Sequence, residues 1–498
     1  MASLLPPSHA VSIRYNRQPL DERLVAKYDA VLVFCGFPTS KLLQHLPYAS
    51  LWKNLSTTLH KDGATPDLIA HLPNRPHTLM AVGFAKSPVS AFSSLTHAAR
   101  LIKDAKLSRY RNVLVDIIGI DDPQQSVVRE AAVAALLAAA APMPEFKSKA
   151  PAVPALQSIT IRHGEKKPDL STTLATHAGN HLARWLTTLP PNRLDSSSYA
   201  QALRTLATNN GWRYQFYNEA ALKRAQAGAF LAVARANGHR GAGMVKLSYR
   251  PARSSKSIAL VGKGICFDTG GINLKTHKGM YTMHEDMQGS AVAVGTLLAL
   301  TQLKWPVAVD CWLALTENEI GAQAYRPQEV VTAANGVTIQ VVHSDAEGRM
   351  VLADTLALAS REKPKVILDF ATLTGSCIGA LSERISGVFS NRESWRASLE
   401  QAGKVSGERV WSFPMDEDFD NDLESSVADI LQCTMDNKAD HILAARFLNR
   451  FVDKNIGWVH VDLSSSNRPG GLAHIPTDIT GFGVRFATEW LLSGSALG

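Results

Sequence analysis

Cysteine is scarce in this 498-residue chain, and its five cysteines form no closely spaced pair. A CxxC motif for metal or redox chemistry is therefore absent, and an odd number of separated thiols does not suit a disulfide framework. Reduced thiols are the simpler interpretation, so we expect a cytoplasmic protein. The five positions are Cys35, Cys266, Cys311, Cys377 and Cys433.

Long apolar runs are also missing. The longest, AAVAALLAAAAPM at 131–143, is shorter than the ~20 residues that a membrane-spanning helix needs, and a buried Ala-rich helix explains it. The opening MASLLPPSHAVSIRY lacks a charged start followed by an apolar core, so we expect no secretory signal. The sequence thus predicts no membrane association.

Several familiar binding and catalytic motifs are absent. Residues 1–165 contain no GxxxxGK[ST] phosphate loop and no GxGxxG after a strand, so this region shows no chemistry of its own. The chain has no HExxH, which argues against that type of metalloprotease, and no GxSxG nucleophile turn.

The chain is basic, but its Lys and Arg residues are dispersed along the sequence. Net charge is +8 and the pI is about 9.1, yet no long Lys/Arg run occurs, so a generally basic surface is the simpler explanation. A DNA-binding regulatory protein is the alternative, and salt-dependent retention on DNA would support it. A composition of 45% hydrophobic and 19% charged residues suits a globular protein.

The length predicts two domains, because 498 residues exceed one ordinary core. Strand-like and helix-like segments alternate on both sides of GEKKPDL at 164–170, and we place the boundary near 165–175. We predict an α/β fold with domains at 1–170 and 171–498, each a mixed or parallel-dominated sheet with helices on both faces. Predicted strands lie near 30–37, 78–85, 112–120, 158–164, 213–217, 243–250, 257–262, 307–315, 366–370 and 458–463, and predicted helices near 41–60, 90–106, 126–141, 171–191 and 291–300.

Residues 261–290 concentrate charged side chains among glycines. Lys263 and Asp268 follow the strand-like run SIALVG and flank an apolar segment, GICF, that is predicted as a turn. Lys275 comes next, and Asp286 precedes the apolar helix AVAVGTLLAL. Taken singly, the two aspartates would be ordinary loop and helix-start residues. In parallel sheets, however, ligands bind beyond the carboxyl ends of the strands, where Lys263, Asp345 and the ATLTGS turn can converge because each follows a strand-like run.

A second charged segment places Asp345, Glu347 and Arg349 at every second position. In an extended segment these side chains would share one face, where two close carboxylates repel unless a cation lies between them. A solvated, self-paired loop is the alternative. The flanking apolar runs IQVV and MVLADTLALA favour a partly buried turn.

As a set, the four carboxylates and two lysines suit a hydrolytic site with two metal ions. Oxygen-rich ligation without a Cys or His cluster suits Zn or Mn, and Mg or Co as well.

The motifs VGKGICFDTGG, MHEDMQGSAV, SDAEGR and ATLTGS occur in this order, with Lys275 after the first. This ordered set resembles the signature of the leucyl (cytosol) aminopeptidase family of di-zinc exopeptidases over about residues 180–498. The resemblance implies an enzyme that releases N-terminal, preferably Leu-like, residues from peptides by means of a water activated by two divalent metals. It also implies that Lys275 and Arg349 are catalytic and that the metals are held by Lys263, Asp268, Asp286, Asp345 and Glu347.

The implied chemistry constrains these side chains. An amine binds a metal only when neutral, so Lys263 would need a lowered pKa, which burial and adjacent ions favour. By resemblance, the substrate's free α-amine would bind one metal and Asp286, and Lys275 would stabilise the oxyanion. Arg349 stays protonated and cannot be a base, so the resemblance implies that it holds bicarbonate, with help from the amides of Leu373–Gly375.

Met283, Thr372, Leu373 and Gly375 are predicted to line an apolar pocket for the first side chain. By resemblance, we expect a homohexamer assembled through the N-terminal domain.

Two histidines depart from the pattern of the family. His343 and Ser344 stand where Asn-Thr is usual, and His284 stands where Lys or Arg is commoner. His343 is interpreted as a packed histidine, with an extra metal ligand as the alternative. Cys266 and Cys377 are interpreted as small apolar packing residues beside the site.

Overall fold

Two large β-sheets carry most of the chain in the computed structural model. The structure describes residues 4–7, 10–36, 40–59, 67–85, 89–149, 156–238, 241–252, 254, 256–436 and 438–497. Residues 37 and 60, at the ends of a predicted strand and a predicted helix, lie outside these ranges. No described helix is both long and apolar enough to cross a membrane.

The first sheet has six strands in the order β1-β6-β5-β2-β4-β3, and all neighbours are parallel except the edge pair β3 and β4. Its strands are β1 (Ser12–Asn16), β2 (Ala30–Cys35), β3 (Leu68–His71), β4 (Leu79–Phe84), β5 (Asn112–Ile118) and β6 (Ser158–Arg162). The helices of this region are α1 (Glu22–Val25), α2 (Ser40–Leu43), α3 (Ala49–Leu59), α4 (Ala91–Asp104) and α5 (Gln124–Ala140).

Both faces of this sheet are covered by helices. Alternate residues of β2 enter two separate cores, so Leu32 packs with α4 and α5 while Val33 packs with α1 and α3. Such continuously buried strands are typical of a parallel sheet between two helical layers. The apolar run at 131–143 lies mostly in α5, whose buried alanines face the first of these cores.

The second sheet has eight strands in the order β15-β14-β17-β13-β9-β10-β8-β7. Its central strands β17, β13, β9 and β10 are mutually parallel. The strands are β7 (Arg213–Asn218), β8 (Gly243–Tyr249), β9 (Ser257–Asp268), β10 (Ala308–Asn318), β13 (Val366–Ala371), β14 (Ser386–Ser390), β15 (Val410–Ser412) and β17 (Gly457–Asp462). A small third sheet holds β11 (Val330–Thr332), β12 (Thr338–Gln340) and β16 (Ile430–Leu431).

Helices cover both faces of the second sheet as well. In β9, Leu260 and Val261 point into opposite cores, one under α6, α11 and α16 and the other under α9, α12 and α15. The predicted α/β fold with helices on both faces is therefore confirmed. The helices are α6 (Ser171–Thr188), α7 (Ser196–Asn210), α8 (Glu219–Arg224), α9 (Gly228–Ala234), α10 (His277–Met280), α11 (Gln288–Gln302), α12 (Glu347–Arg361), α13 (Gly375–Leu381), α14 (Arg396–Ser406), α15 (Asp440–Asn449) and α16 (Val484–Leu492).

Two local predictions were wrong. The segment GICF is not a turn, because β9 continues through it to Asp268 and places Lys263 beside Ala314 of β10. The segment around Glu347 is not extended, because α12 begins at that residue. Pairing with β10 keeps GICF in the sheet. Because α12 begins at Glu347, the side chain of Glu347 contacts Lys263, whereas that of Arg349 contacts Asp440.

Candidate metal centre

Lys263 is a buried cation at the centre of the predicted site. It lies within β9, is 3% exposed, and its Nζ is 2.8 Å from Asp286 Oδ2 and 2.9 Å from Glu347 Oε1. The same Nζ donates to the carbonyl oxygen of Thr372 at 3.0 Å. Three separate chain segments therefore meet on this one amine.

Lys275 joins the other two predicted carboxylates. Its Nζ is 2.9 Å from Asp268 Oδ2 and 2.6 Å from Asp345 Oδ1. At 17% exposed, the side chain of Lys275 is more accessible than that of Lys263, at 4%. Lys275 is thus better placed than Lys263 to reach a bound molecule.

Close packing of α11 on the sheet brings Asp286 into the cluster. A Cβ on Gly289 would lie 2.1 Å from the carbonyl oxygen of Phe370, and one on Gly262 would lie 2.4 Å from Cα of Ser290. Glycine at both positions lets the helix start approach β9 and β13. Asp286 Oδ1 then accepts a hydrogen bond from Thr372 Oγ1 at 2.7 Å.

Asp268 is held by a residue that the sequence analysis did not identify. Asn318 ends β10 beside Asp268, and its Nδ2 donates to Asp268 Oδ1 at 2.8 Å. The amide of Gly270 donates to the same oxygen at 2.9 Å. A polar residue at the carboxyl end of an apolar strand was the available signal, and Asp462 at the end of β17 shows it as well.

The lysines do not neutralise the cluster. Four carboxyl groups surround two ammonium groups, so the cluster would carry two excess negative charges if all four were ionised. Burial raises the pKa of Asp286, of Asp345 and of Glu347, and in each case the charge of Asp268 adds to the rise. Burial alone would lower the pKa of Lys263, but Asp286, Glu347 and Asp268 outweigh it and raise that pKa. The low amine pKa that metal ligation requires would have to come from the ions.

The residues present fit divalent cations. Oxygen atoms of Asp268, Asp286 and Glu347 all lie within 4.8 Å of one another. Glu347 Oε2 is buried and has no hydrogen-bond partner among the described residues. A buried carboxylate oxygen without a partner is costly, and a cation would satisfy it. Asp345 is outside this compact trio and meets it through Lys275.

Arg349 points to a carboxylate that was not predicted. Its Nη2 donates to Oδ1 and Oδ2 of Asp440 at 2.7 and 2.8 Å, and its Nη1 donates to the carbonyl oxygen of Gln432 at 3.2 Å. Its Nε is buried without a partner among the described residues. Gln432 also donates to the carbonyl oxygen of Ala346, so it ties Arg349 to the turn before Glu347.

The turn after β13 already uses two of its backbone amides in internal hydrogen bonds. The amides of Leu373 and Thr374 lie 3.3 and 3.4 Å from Asp462 Oδ1, which accepts from both. Two of the amides expected to hold an anion therefore already have an internal acceptor. Leu373 is half-buried and Gly375 is exposed, so the turn borders solvent.

The remaining predicted positions lie around this centre. Met283 is half-buried in the short turn Met283–Glu285 that precedes Asp286. His343 is half-buried, and its Nδ1 accepts the amide N–H of Asp345 at 3.2 Å. Burial lowers the pKa of His284. The thiols of Cys266 and Cys377 are both buried.

Known proteins with similar sequences indicate the family of this chain. A family model described as the catalytic domain of the cytosol aminopeptidase family matches residues 181–488. A probable cytosol aminopeptidase from Corynebacterium diphtheriae is 40% identical over 306 residues, 61% of this chain and 61% of that protein. One from Sulfurihydrogenibium is 35% identical over 316 residues, 63% and 62% of the two chains. The matches thus span about three fifths of the length of these relatives.

Solved structures match over nearly the whole chain. The family model covers more than half of it. A tomato leucine aminopeptidase mutant superposes with a TM-score of 0.84 at 25% identity, over 98% of this chain and 99% of that one. A bottromycin maturation enzyme in complex with Mn gives 0.81 at 26% identity, over 94% and 100%. On these grounds, the chain belongs to the cytosol aminopeptidase family.

Proposed function

We propose that this protein is a metal-dependent aminopeptidase. The observation that carries the proposal is the buried cluster of Lys263 with Asp268, Asp286 and Glu347, in which carboxyl groups outnumber the amine and one oxygen has no hydrogen-bond partner among the described residues. Membership of the family and a leucine aminopeptidase among its structural neighbours support the same activity.

Two divalent ions are part of the proposal, held by Lys263, Asp268, Asp286, Asp345 and Glu347. We favour zinc or manganese, since the ligands are an amine and carboxylate oxygens and one structural neighbour was solved with Mn. Such ions supply the positive charge that polarises a peptide carbonyl and makes a water molecule more acidic.

The protein side chains would then orient the substrate. Asp286 offers a carboxylate to the free α-amine of a peptide, which restricts cleavage to the N-terminus. Lys275, the more exposed lysine, would donate to the oxyanion that develops on the scissile carbonyl. Met283, Thr372, Leu373 and Gly375 would border a pocket for a Leu-like first side chain, because three of them are half-buried and Gly375 is exposed.

Bicarbonate held by Arg349 is the proposed proton acceptor. Bicarbonate on this guanidinium stays our prediction, and it is supported by the buried Nε, which has no partner in the part of the chain that the structure describes. Asp440 already occupies Nη2, so an external anion would either displace Asp440 or use Nε. Asp440 is therefore an internal competitor for any anion at this position.

Domain roles and assembly belong to the same proposal. We assign assembly to residues 1–170 and catalysis to 171–498; β6 ends at Arg162 and α6 begins at Ser171, which supports this boundary. We also propose a homohexamer and a cytoplasmic location, the latter supported by five free, buried cysteines.

One experiment tests the activity. The purified protein is assayed on a panel of aminoacyl amides after chelation and after addition of Zn or Mn, with metal content measured on the same samples. We expect metal-restored hydrolysis in the wild type and in Glu165→Gln, an exposed control, and loss of both bound metal and activity in Glu347→Gln. Hydrolysis that persists at full rate without metal would overturn the proposal, and no hydrolysis with two metals bound would favour a binding role such as the DNA alternative.

A further inference from the structure

A basic pocket lies at the amino ends of the central strands of the second sheet, away from the metal centre. Here β9, β13 and β17 begin side by side, since the amide of Gly457 donates to the carbonyl oxygen of Lys365 and the amide of Lys365 donates to that of Ser257. Asp268 ends β9 and Thr372 follows β13, so the same strands lead from the pocket to the metal centre. The pocket has a volume of about 390 Å³, within the ~300–1,000 Å³ that is typical of small-molecule sites.

Three cationic residues border this pocket, namely Lys256, Lys365 and Arg392. Lys256 Nζ donates to the carbonyl oxygen of Leu497 at 2.7 Å, and the Nη atoms of Arg392 donate to two main-chain carbonyl oxygens at 3.0 and 3.2 Å. The exposed side chain of Lys365 makes no hydrogen bond or ion pair within the described ranges. Carbonyl partners are neutral, so all three positive charges are uncompensated and each group keeps N–H donors for a ligand.

The carboxylates closest in sequence are engaged elsewhere. Glu393 follows Arg392 in the chain but pairs with Arg396 at 3.4 Å. Asp453 Oδ1 accepts from the amide and from Nδ2 of Asn455, at 2.9 and 3.0 Å. Among the described residues, no acidic side chain lines the pocket. A concave surface with charge of one sign concentrates ions of the opposite sign, so this pocket favours an anion.

Trp395 adds an aromatic wall to the pocket. It ends the short helical turn Glu393–Trp395, directly before α14. A Cβ on Gly457 would lie 2.1 Å from Cη2 of Trp395, so the indole packs directly on the first residue of β17. Trp490 packs edge-on against the same ring, with the ring centroids 5.3 Å apart. These contacts hold the half-buried indole in place beside the three cations.

Clustered cations beside an aromatic ring suit a nucleotide, because the phosphate accepts charge-assisted hydrogen bonds while the base stacks on the ring. We propose that the basic pocket binds a nucleoside monophosphate, with its phosphate at Lys256, Lys365 and Arg392 and its base against Trp395. A phosphate monoester carries about two negative charges at neutral pH, which three cations can balance. Since the pocket and the metal centre lie at opposite ends of the strands, the nucleotide is expected to stabilise the fold without contacting the peptide substrate.

Calorimetric titration of the intact protein with AMP tests the site. We expect AMP to bind the wild type, and Lys365→Met to weaken binding about 10-fold or more, because one charge-assisted hydrogen bond to the phosphate is lost. Lys363→Met makes the same change in net charge at an exposed lysine that does not line the pocket, and it should bind AMP as the wild type does. No binding of AMP to the wild type, or equal affinity in Lys365→Met, would overturn the proposal.

Related ligands separate the contribution of the phosphate from that of the base. Adenosine lacks the phosphate, and ribose 5-phosphate lacks the base, so each should bind about 10-fold or more weakly than AMP. Equal affinity for AMP and ribose 5-phosphate would refute the assignment to a nucleotide, because Trp395 would then contribute nothing.

A phosphate can also bind divalent metals, so the location of the nucleotide needs its own measurement. Glu347→Gln, which is expected to lose metal, should keep its affinity for AMP. Wild-type crystals soaked in AMP should show the phosphate within hydrogen-bond distance of Lys365 and Arg392, with the base on Trp395. AMP found only at the metal centre, or loss of AMP binding in Glu347→Gln, would refute the pocket. None of these results depends on peptidase activity, so the proposed function is tested separately.

Discussion

Gly348 leaves room for the amine of Lys263 and for little else. A Cβ on Gly348 would lie 2.7 Å from Nζ and 2.7 Å from Cε of Lys263. The first turn of α12 therefore shapes the position of a side chain that belongs to β9. Since Nζ is the mobile end of a side chain, a clash here would displace the amine before it disturbed the backbone.

Gly348→Ala should separate folding from metal binding. We expect the variant to fold, because alanine is favoured within a helix, and to bind metal about 10–100-fold more weakly because Lys263 is displaced. Calorimetric titration with Zn or Mn, together with circular dichroism, measures both properties. Gly379→Ala in α13 is the matched control, since nothing lies within 4 Å of its Cβ. Unchanged metal affinity in Gly348→Ala would remove Lys263 from the set of ligands.

Removal of Asp440 should expose Arg349 to external anions. We expect Asp440→Ala to be stimulated by bicarbonate more strongly, and at lower concentration, than the wild type, because the carboxylate that competes for the guanidinium is gone. The isosteric Asp440→Asn should respond less, because its amide still fills the space. Rates measured against bicarbonate, with metal content determined in parallel, give the result. Equal stimulation of wild type and Asp440→Ala would mean that Asp440 does not compete for the guanidinium.

Arg349→Ala should keep its metals but lose about 10²–10⁴-fold in kcat, the usual contribution of one general base. Bicarbonate should not restore it. Loss of metal or of folded structure along with activity would instead assign Arg349 a purely structural role through Asp440 and Gln432.

The first side chain of the substrate should strongly affect the rate. Because Met283, Thr372 and Leu373 are proposed to border an apolar pocket, Leu and Met amides are expected to exceed Asp and Glu amides by at least about 10-fold in kcat/KM. Steady-state kinetics on the four amides at one pH provides the comparison. An acidic preference would contradict the apolar pocket.

Stability should fall as Glu408 ionises. Burial raises the pKa of Glu408 to about 7 from an ordinary 4.5, although the amides of Phe486 and Gly483 oppose the rise. The fold favours the protonated carboxyl, so its stabilisation is complete below pH 4.5 and is lost as the pH rises through about 7. The loss is about 3 kcal/mol.

Glu408→Gln cannot ionise and should lose less stability than the wild type between pH 5 and pH 8. Urea unfolding at both values measures the difference, and Glu165→Gln, exposed in the N-terminal region, should behave as the wild type does. An identical pH dependence in Glu408→Gln and the wild type would show that Glu408 does not titrate in this range.

Assembly can be measured directly by light scattering. Six copies of the 53.9 kDa chain give about 320 kDa, which is the expected mass at micromolar concentration. A stable particle with the mass of one chain would refute the hexamer.

The sequence predicted the elements whose pattern is local and missed those set by distant partners. Buried strands such as β2 and β13, and helices such as α4 and α11, carry their own apolar signal. The segment GICF was misassigned because Gly264 suggests a turn, whereas pairing with β10 extends the strand. Strands β14 and β15 and the small third sheet were missed, because they are short and depend on their neighbours.

In the candidate site, too, the residues within local motifs were predicted and those that act through distant contacts were missed. The motif residues Lys263, Asp268, Asp286 and Glu347 do come together, which their order in the sequence indicated. Asn318 and Asp440 escaped notice, because each acts through a contact with a residue far away in the chain. No local pattern marks Asp440 as the partner of Arg349.

The pairing of β9 with β13 also bears on how the protein folds. Ile258 is paired with Val366 across about a hundred intervening residues, and the carbonyl oxygen of Thr372 beyond β13 receives the amine of Lys263. Parallel pairings at such separation form slowly, after local helices and hairpins. Zn or Mn binding during refolding should therefore appear as a late kinetic phase, after most of the helical signal has returned.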